Sequence, residues 1–160
     1  MIRSFVLAFG IAVSCVAQTT AKEAQDLAAY PLTMDHVTRQ YQALIDLTRQ
    51  EQQDAGLRRE LQGWSGMPLD RQIQLYGSNA KVAAIVKAHG ITPRDQVMTQ
   101  TALMALMIAL PSIEAKKGPN ATNKLEFDAS SPDHVKFYHD HQAEITKLGA
   151  ELVDVALGKK

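Results

Sequence analysis

The chain has 160 residues, with 17 basic side chains balancing 17 acidic ones and a single cysteine, Cys15. So even a balance gives no electrostatic case for nucleic acid or an anionic membrane surface. One cysteine excludes an internal disulfide, a sulfur-built metal cluster and covalent haem attachment through Cys-x-x-Cys-His.

The N-terminus has the pattern of a secretory signal peptide over residues 1–17. Arg3 supplies the basic start, Phe5 to Val13 the apolar run, and Cys15-Val16-Ala17 the small-residue end. A membrane anchor needs about 20 apolar residues, and this run is much shorter. Cleavage between Ala17 and Gln18 is expected, with a second acceptable point after Ala21. The alternative is a lipoprotein, with Cys15 as its acylated first residue. Residues 18–32 read as a mobile polar lead-in ending at Pro31.

A single helical domain is expected over 33–157. Thr33 can cap a helix carrying Met34, Val37, Tyr41, Leu44 and Leu47 at helical spacing. The stripe lapses at Glu51-Gln52-Gln53-Asp54 and resumes at Leu57, Leu61 and Trp64. That predicts one helix with a weak middle, or two joined near Asp54-Ala55-Gly56. Gly63, Gly66 and Pro68 form a break, and a short helix follows with Leu69, Ile73 and Tyr76, closed by Gly77. Trp64 and Tyr76 flank the break and read as a cap on the core. Ser78 or Asn79 starts the next helix, whose buried side is Val82, Ile85, Val86 and His89. Gly90 ends it, and His89 places a cation at the negative end of the helix dipole.

Thr92-Pro93-Arg94-Asp95 is a start signal with a cap, a proline in the first turn and an acidic partner for the cap. The helix behind it, over about 93–116, is apolar at every position from Ala102 to Leu110. A helix that is apolar all round belongs in a core or a membrane, and nine residues favour the core. Met98, Met104 and Met107 read as adaptable filling, with Met104 and Leu106 both largely buried. Residues 117–130 read as a loop turning at Gly118-Pro119-Asn120, and Lys124 to Phe127 are too few for a strand. Ser131-Pro132-Asp133 repeats the start logic, and the last helix runs to about Leu157. The fold class predicted is all-α, a bundle of five or six helices around the central apolar one.

Two stretches, NAKVAAIVKAHGITPRDQV at 79–97 and SPDHVKFYHDHQAEI at 131–145, resemble a loose set of small exported bacterial all-helical proteins. Members carry a helix, a glycine, a Thr-Pro-Arg start to an apolar helix, and later an Asn-Pro-x-Asn-Val-x-Phe helix with His and Glu behind. Here Ser131 and His134 stand where that pattern has Asn. The set has no established activity, so the resemblance implies a helical fold and an exported address and supplies no catalytic residues.

The last helix holds the candidate chemistry. His134, Tyr138, His141, Ile145, Leu148, Leu152 and Val155 lie on one seam. The two seam histidines are about 10 Å apart along the axis, too far to share one ion directly. His141 and Glu144 are close in register. A metal centre at His134, His141 and Glu144 is therefore one reading, and non-covalent haem between His141 and Met34, Met104 or Met107 is another. The plainer reading is that His141 is a buried core histidine and His134 sits near the helix start, with no cofactor. Ser65 lacks the G-x-S-x-G context of a hydrolase nucleophile, and Glu114, Glu126 and Asp128 read as solvated charge.

The function expected is that of an exported, non-enzymatic binding or interaction protein of the cell envelope. Its partner is unspecified, it does not bind nucleic acid, and its mature chain does not span a membrane. The alternative is a metal- or haem-binding periplasmic bundle centred on His141.

Overall fold

The computed structural model describes residues 20–64, 66–115 and 131–159, with the side chains of 111–115 excepted. The expectations for the signal peptide, Cys15, the Ala17–Gln18 bond, Ser65, the 117–130 loop, and the side chains of Glu114, Glu126 and Asp128 lie outside the described residues. Among these residues the chain is all-α: α1 (Ala21–Ala29), α2 (Met34–Gln53), α3 (Ala55–Trp64), α4 (Leu69–Ser78), α5 (Ala80–Ala88), α6 (Pro93–Ala115) and α7 (Pro132–Ala156).

The helix starts follow local chemistry. Thr33 Oγ1 accepts the His36 amide at 3.2 Å, and Ser131 Oγ accepts that of His134 at 3.2 Å. Thr92 Oγ1 accepts the Asp95 amide and donates to the Asp95 carboxylate at 2.6 Å. The weak middle of the first long helix is a true break. There Asp54 ends α2 and takes the amides of Gly56 and Leu57 at the start of α3. Asn79 does the same between α4 and α5. Its amide closes α4 on Leu75, and its side-chain oxygen accepts Lys81 and Val82 at the start of α5. So α4 runs one residue past Gly77, and Asn79 rather than Ser78 is the cap. Gly90, at φ 65, takes the left-handed turn that ends α5. A Cβ there would lie 2.7 Å from the Arg39 guanidinium, which donates to the Gly90 carbonyl.

The expected lead-in is corrected at its centre, because residues 21–29 form α1. A capping box between Thr20 and Glu23 starts this helix, and Leu27 (1% exposed) anchors it in the core. The helix count is thus seven among the described residues rather than five or six.

Helix α6 is central, as expected. It packs against α1, α2, α4, α5 and α7, while α2 lies along α7 and also meets α3 and α5. The main core joins Leu27, Leu47, Leu57, Leu61, Trp64, Leu69, Val82, Val86, Val97 and Met98. The Trp64 and Tyr76 rings close one side, with centroids 5.4 Å apart. A second cluster, Val37, Leu103 and Ile145, lies where α2, α6 and α7 meet. The seam on α7 extends to its end, where Gln52 Nε2 donates to the Val155 carbonyl at 2.8 Å.

One expectation for α6 needs correction. Leu106 is fully buried and Met104 is mostly covered, but Met107 and Ile108 are 39% exposed. Met107 is therefore not core filling. The helix runs through Pro111 to Ala115, close to the expected 93–116. Pro111 has no amide to offer the Met107 carbonyl one turn back.

Gln96 is one exception in the core. It is fully buried, and neither atom of its amide has a hydrogen-bond partner. Leaving an amide so placed costs about 1–3 kcal/mol. Gln96→Met keeps the shape and removes the polar atoms, so it is expected to raise the melting temperature by several degrees. A fall in calorimetry would show that the amide is satisfied.

Candidate functional site

The seam on α7 brings His134, not His141, into the interior. His134 is 3% exposed, and its Nε2 lies 2.7 Å from the Tyr30 carbonyl. A carbonyl only accepts, so Nε2 carries the hydrogen in that bond. Nδ1 is buried without a partner. The expectation of a buried core His141 is corrected. Its side chain is 35% exposed, its Nδ1 lies 3.3 Å from Glu144, and its ring stands 4.9 Å from that of Phe137. The reason is geometric: a seam fixes direction around a helix, while depth depends on what lies opposite. Opposite His134 is the end of α1.

The three residues of the expected metal centre thus have separate surroundings. His134 is committed to Tyr30, while His141 pairs with Glu144 near the surface. Among the described residues no group of three or more His, Cys, Asp or Glu side chains stands close enough to hold one ion. Of the methionines weighed as haem ligands, Met34 packs against the second cluster of Val37, Leu103 and Ile145. Met104 is mostly covered, and Met107 faces outward.

A polar junction among the described residues centres on Tyr30, which the sequence reading passed over. Its hydroxyl donates to Asp95 Oδ1 at 3.1 Å and also lies 3.2 Å from His36 Nδ1 and from Thr99 Oγ1. With the phenolic hydrogen on Asp95, the oxygen accepts from the other two. Tyr30 thus ties the end of α1 to α2 and α6 through its hydroxyl, and to α7 through its carbonyl. The triad order of carboxylate, phenol and imidazole suggests a proton relay. The electrostatics argue against one, because burial, with Asp95 adding to it against the Thr99 hydrogen bond, pushes the phenol up to about 12. A phenol raised this far is a weak acid that keeps its hydrogen at neutral pH, so the hydroxyl serves here to cross-link three helices.

Two concave regions lie among the described residues. A cavity of about 230 Å³ between α1, α4 and α6 has Lys22, Asp26, Asp70 and Arg94 around an apolar floor of Leu69 and Met98. Glu23 closes its edge by accepting the Leu69 amide at 2.8 Å. A more open groove of about 410 Å³ lies where α3 and α5 begin. There Lys81 binds Asp54, and Asn79 Nδ2 donates to Glu60 at 3.0 Å. The Lys81 ammonium, aided by the Leu57 amide, holds the Asp54 carboxyl down at about 2. Burial pushes Asp46 up, but hydrogen bonds from His89 and Arg49 outweigh it and lower that carboxyl too.

Together with Glu23 and Asp140, which are also held down, these carboxylates set the acid behaviour. Carboxylates held below the unfolded value of about 3.9 stabilise the fold above that pH, and the benefit drains away as pH falls toward 2. Thermal melts from pH 5 to pH 2 are therefore expected to show a steady fall. That fall should be shallower in Asp54→Asn, and an equal slope in the variant would contradict the assignment.

Comparison with family models, with curated proteins and with solved structures finds no match. None of the described helices is long and apolar enough to cross a membrane.

Proposed function

We propose that the protein is exported and acts as a non-enzymatic binding protein of the cell envelope. The observation that supports this is the open face of α6. Met107 and Ile108 are neighbours on the most apolar helix, and both stand 39% exposed while Leu106 and Ala109 beside them are buried. Large apolar side chains held together at a surface are characteristic of contact sites, and methionine is enriched there. The address rests on the apolar start of the chain and on the resemblance to small exported helical proteins.

A photo-crosslinking residue placed at Met107 in intact cells tests the reading. The expected result is one discrete adduct in the extracytoplasmic fraction, lost in Ile108→Lys. Uniform cytoplasmic recovery with no adduct would overturn it. Metal and optical analysis of the same purified protein bears on the alternative. A stoichiometric metal, or a haem band near 400 nm, abolished by His141→Gln would put a cofactor-binding bundle in its place.

A further inference from the structure

We infer that processing of the exported chain occurs upstream of Thr20, so the junction after Ala21 is not used and the mature protein keeps Thr20. The inference rests on the export reading above and decides between the cleavage points the sequence leaves open. Its basis is the carboxylate of Glu23, which joins the N-terminus to a helix far along the chain.

Oε2 of Glu23 accepts the Thr20 amide at 2.8 Å and the Thr20 hydroxyl at 2.9 Å. Thr20 Oγ1 in turn accepts the Glu23 amide at 3.2 Å. The other oxygen, Oε1, accepts the Leu69 amide at 2.8 Å, the first of α4. One side chain therefore caps two helices, and Thr20 fixes its orientation. The fit is electrostatic as well. Burial pushes Glu23 up, but the amides of Thr20 and Leu69, the Thr20 hydroxyl and the Lys22 charge together hold it below its ordinary value.

Cleavage after Ala21 would make Lys22 the first residue. Thr20 would be gone, and with it every bond to Oε2. A new ammonium at Lys22 would stand one residue from Glu23 and compete with Leu69 for its carboxylate. Cleavage after Ala17, or acylation at Cys15, leaves the box whole.

Intact mass of the exported product tests this directly. A product beginning at Gln18, or at an acylated Cys15, keeps Thr20 and supports the inference. A product beginning at Lys22 overturns it while leaving export standing. An unprocessed chain beginning at Met1 overturns the export reading, and the inference falls with it. A second measurement is independent of the peptidase. Chains started at Gln18 and at Lys22 are compared by thermal melting, alone and with Glu23→Gln. The shorter chain is expected to melt several degrees lower, and Glu23→Gln should cost the longer chain more than the shorter. Equal melting of the two starts would overturn the role given to Thr20.

Discussion

Leu106→Ala is expected to lower the unfolding free energy by about 2–5 kcal/mol, the range for emptying a well-packed core site. The side chain is fully buried. Its helix is held by five others, so the walls around the vacated space belong to several elements and cannot close independently. Met107→Ala, one residue along, should stay within about 0.5 kcal/mol, as surface changes do. Chemical denaturation of the pair makes the comparison, with the slope confirming that the folded state is the same. A Leu106→Ala loss under about 0.5 kcal/mol would mean that this side of α6 is not packed core.

Tyr30→Ala should be of similar size, about 3–5 kcal/mol, because a large aromatic leaves the core. Tyr30→Phe separates the two contributions. It keeps the ring but takes the hydrogen from Asp95 and the acceptor from Thr99 and His36. Unpairing buried polar groups costs about 1–3 kcal/mol. The backbone bond from His134 to the Tyr30 carbonyl survives both substitutions, so α7 should stay in place. Amide chemical shifts of residues 134–145 report this. If Tyr30→Phe melts like the parent, the hydroxyl junction adds nothing and only the ring matters.

Much of this architecture is legible in the sequence because it is set locally. Thr33, Asn79, Thr92 and Ser131 each cap with their own side chain within three residues, and that chemistry needs no tertiary contact. The all-apolar run of α6 marks it as central for the same reason. What it cannot mark is the open side, since a stretch without polar residues has no periodicity to give direction. Hence Met107 reads as core from sequence and stands at the surface in the fold. Helix α1 is missed for the opposite reason, being too polar to suggest burial. Its signal is Thr20-x-x-Glu23, which only the capping-box pattern would have found. The exchange of depth between His134 and His141 lies beyond any local signal. The partner that buries His134 is a carbonyl 104 residues away, and register along one helix carries no information about it.

The double duty of Asn79 has a consequence for motion. A residue that ends one helix with its backbone and begins the next with its side chain leaves no spacer between them. Asp54 is the same kind of joint between α2 and α3. At both points the angle between successive helices is fixed by hydrogen bonds on a single residue, and a hinge there would have to break a helix end to bend. Opening of the fold is thereby directed elsewhere. Slow breathing should therefore leave these two joints closed, and slow amide exchange at Gly56, Leu57, Lys81 and Val82 would report it.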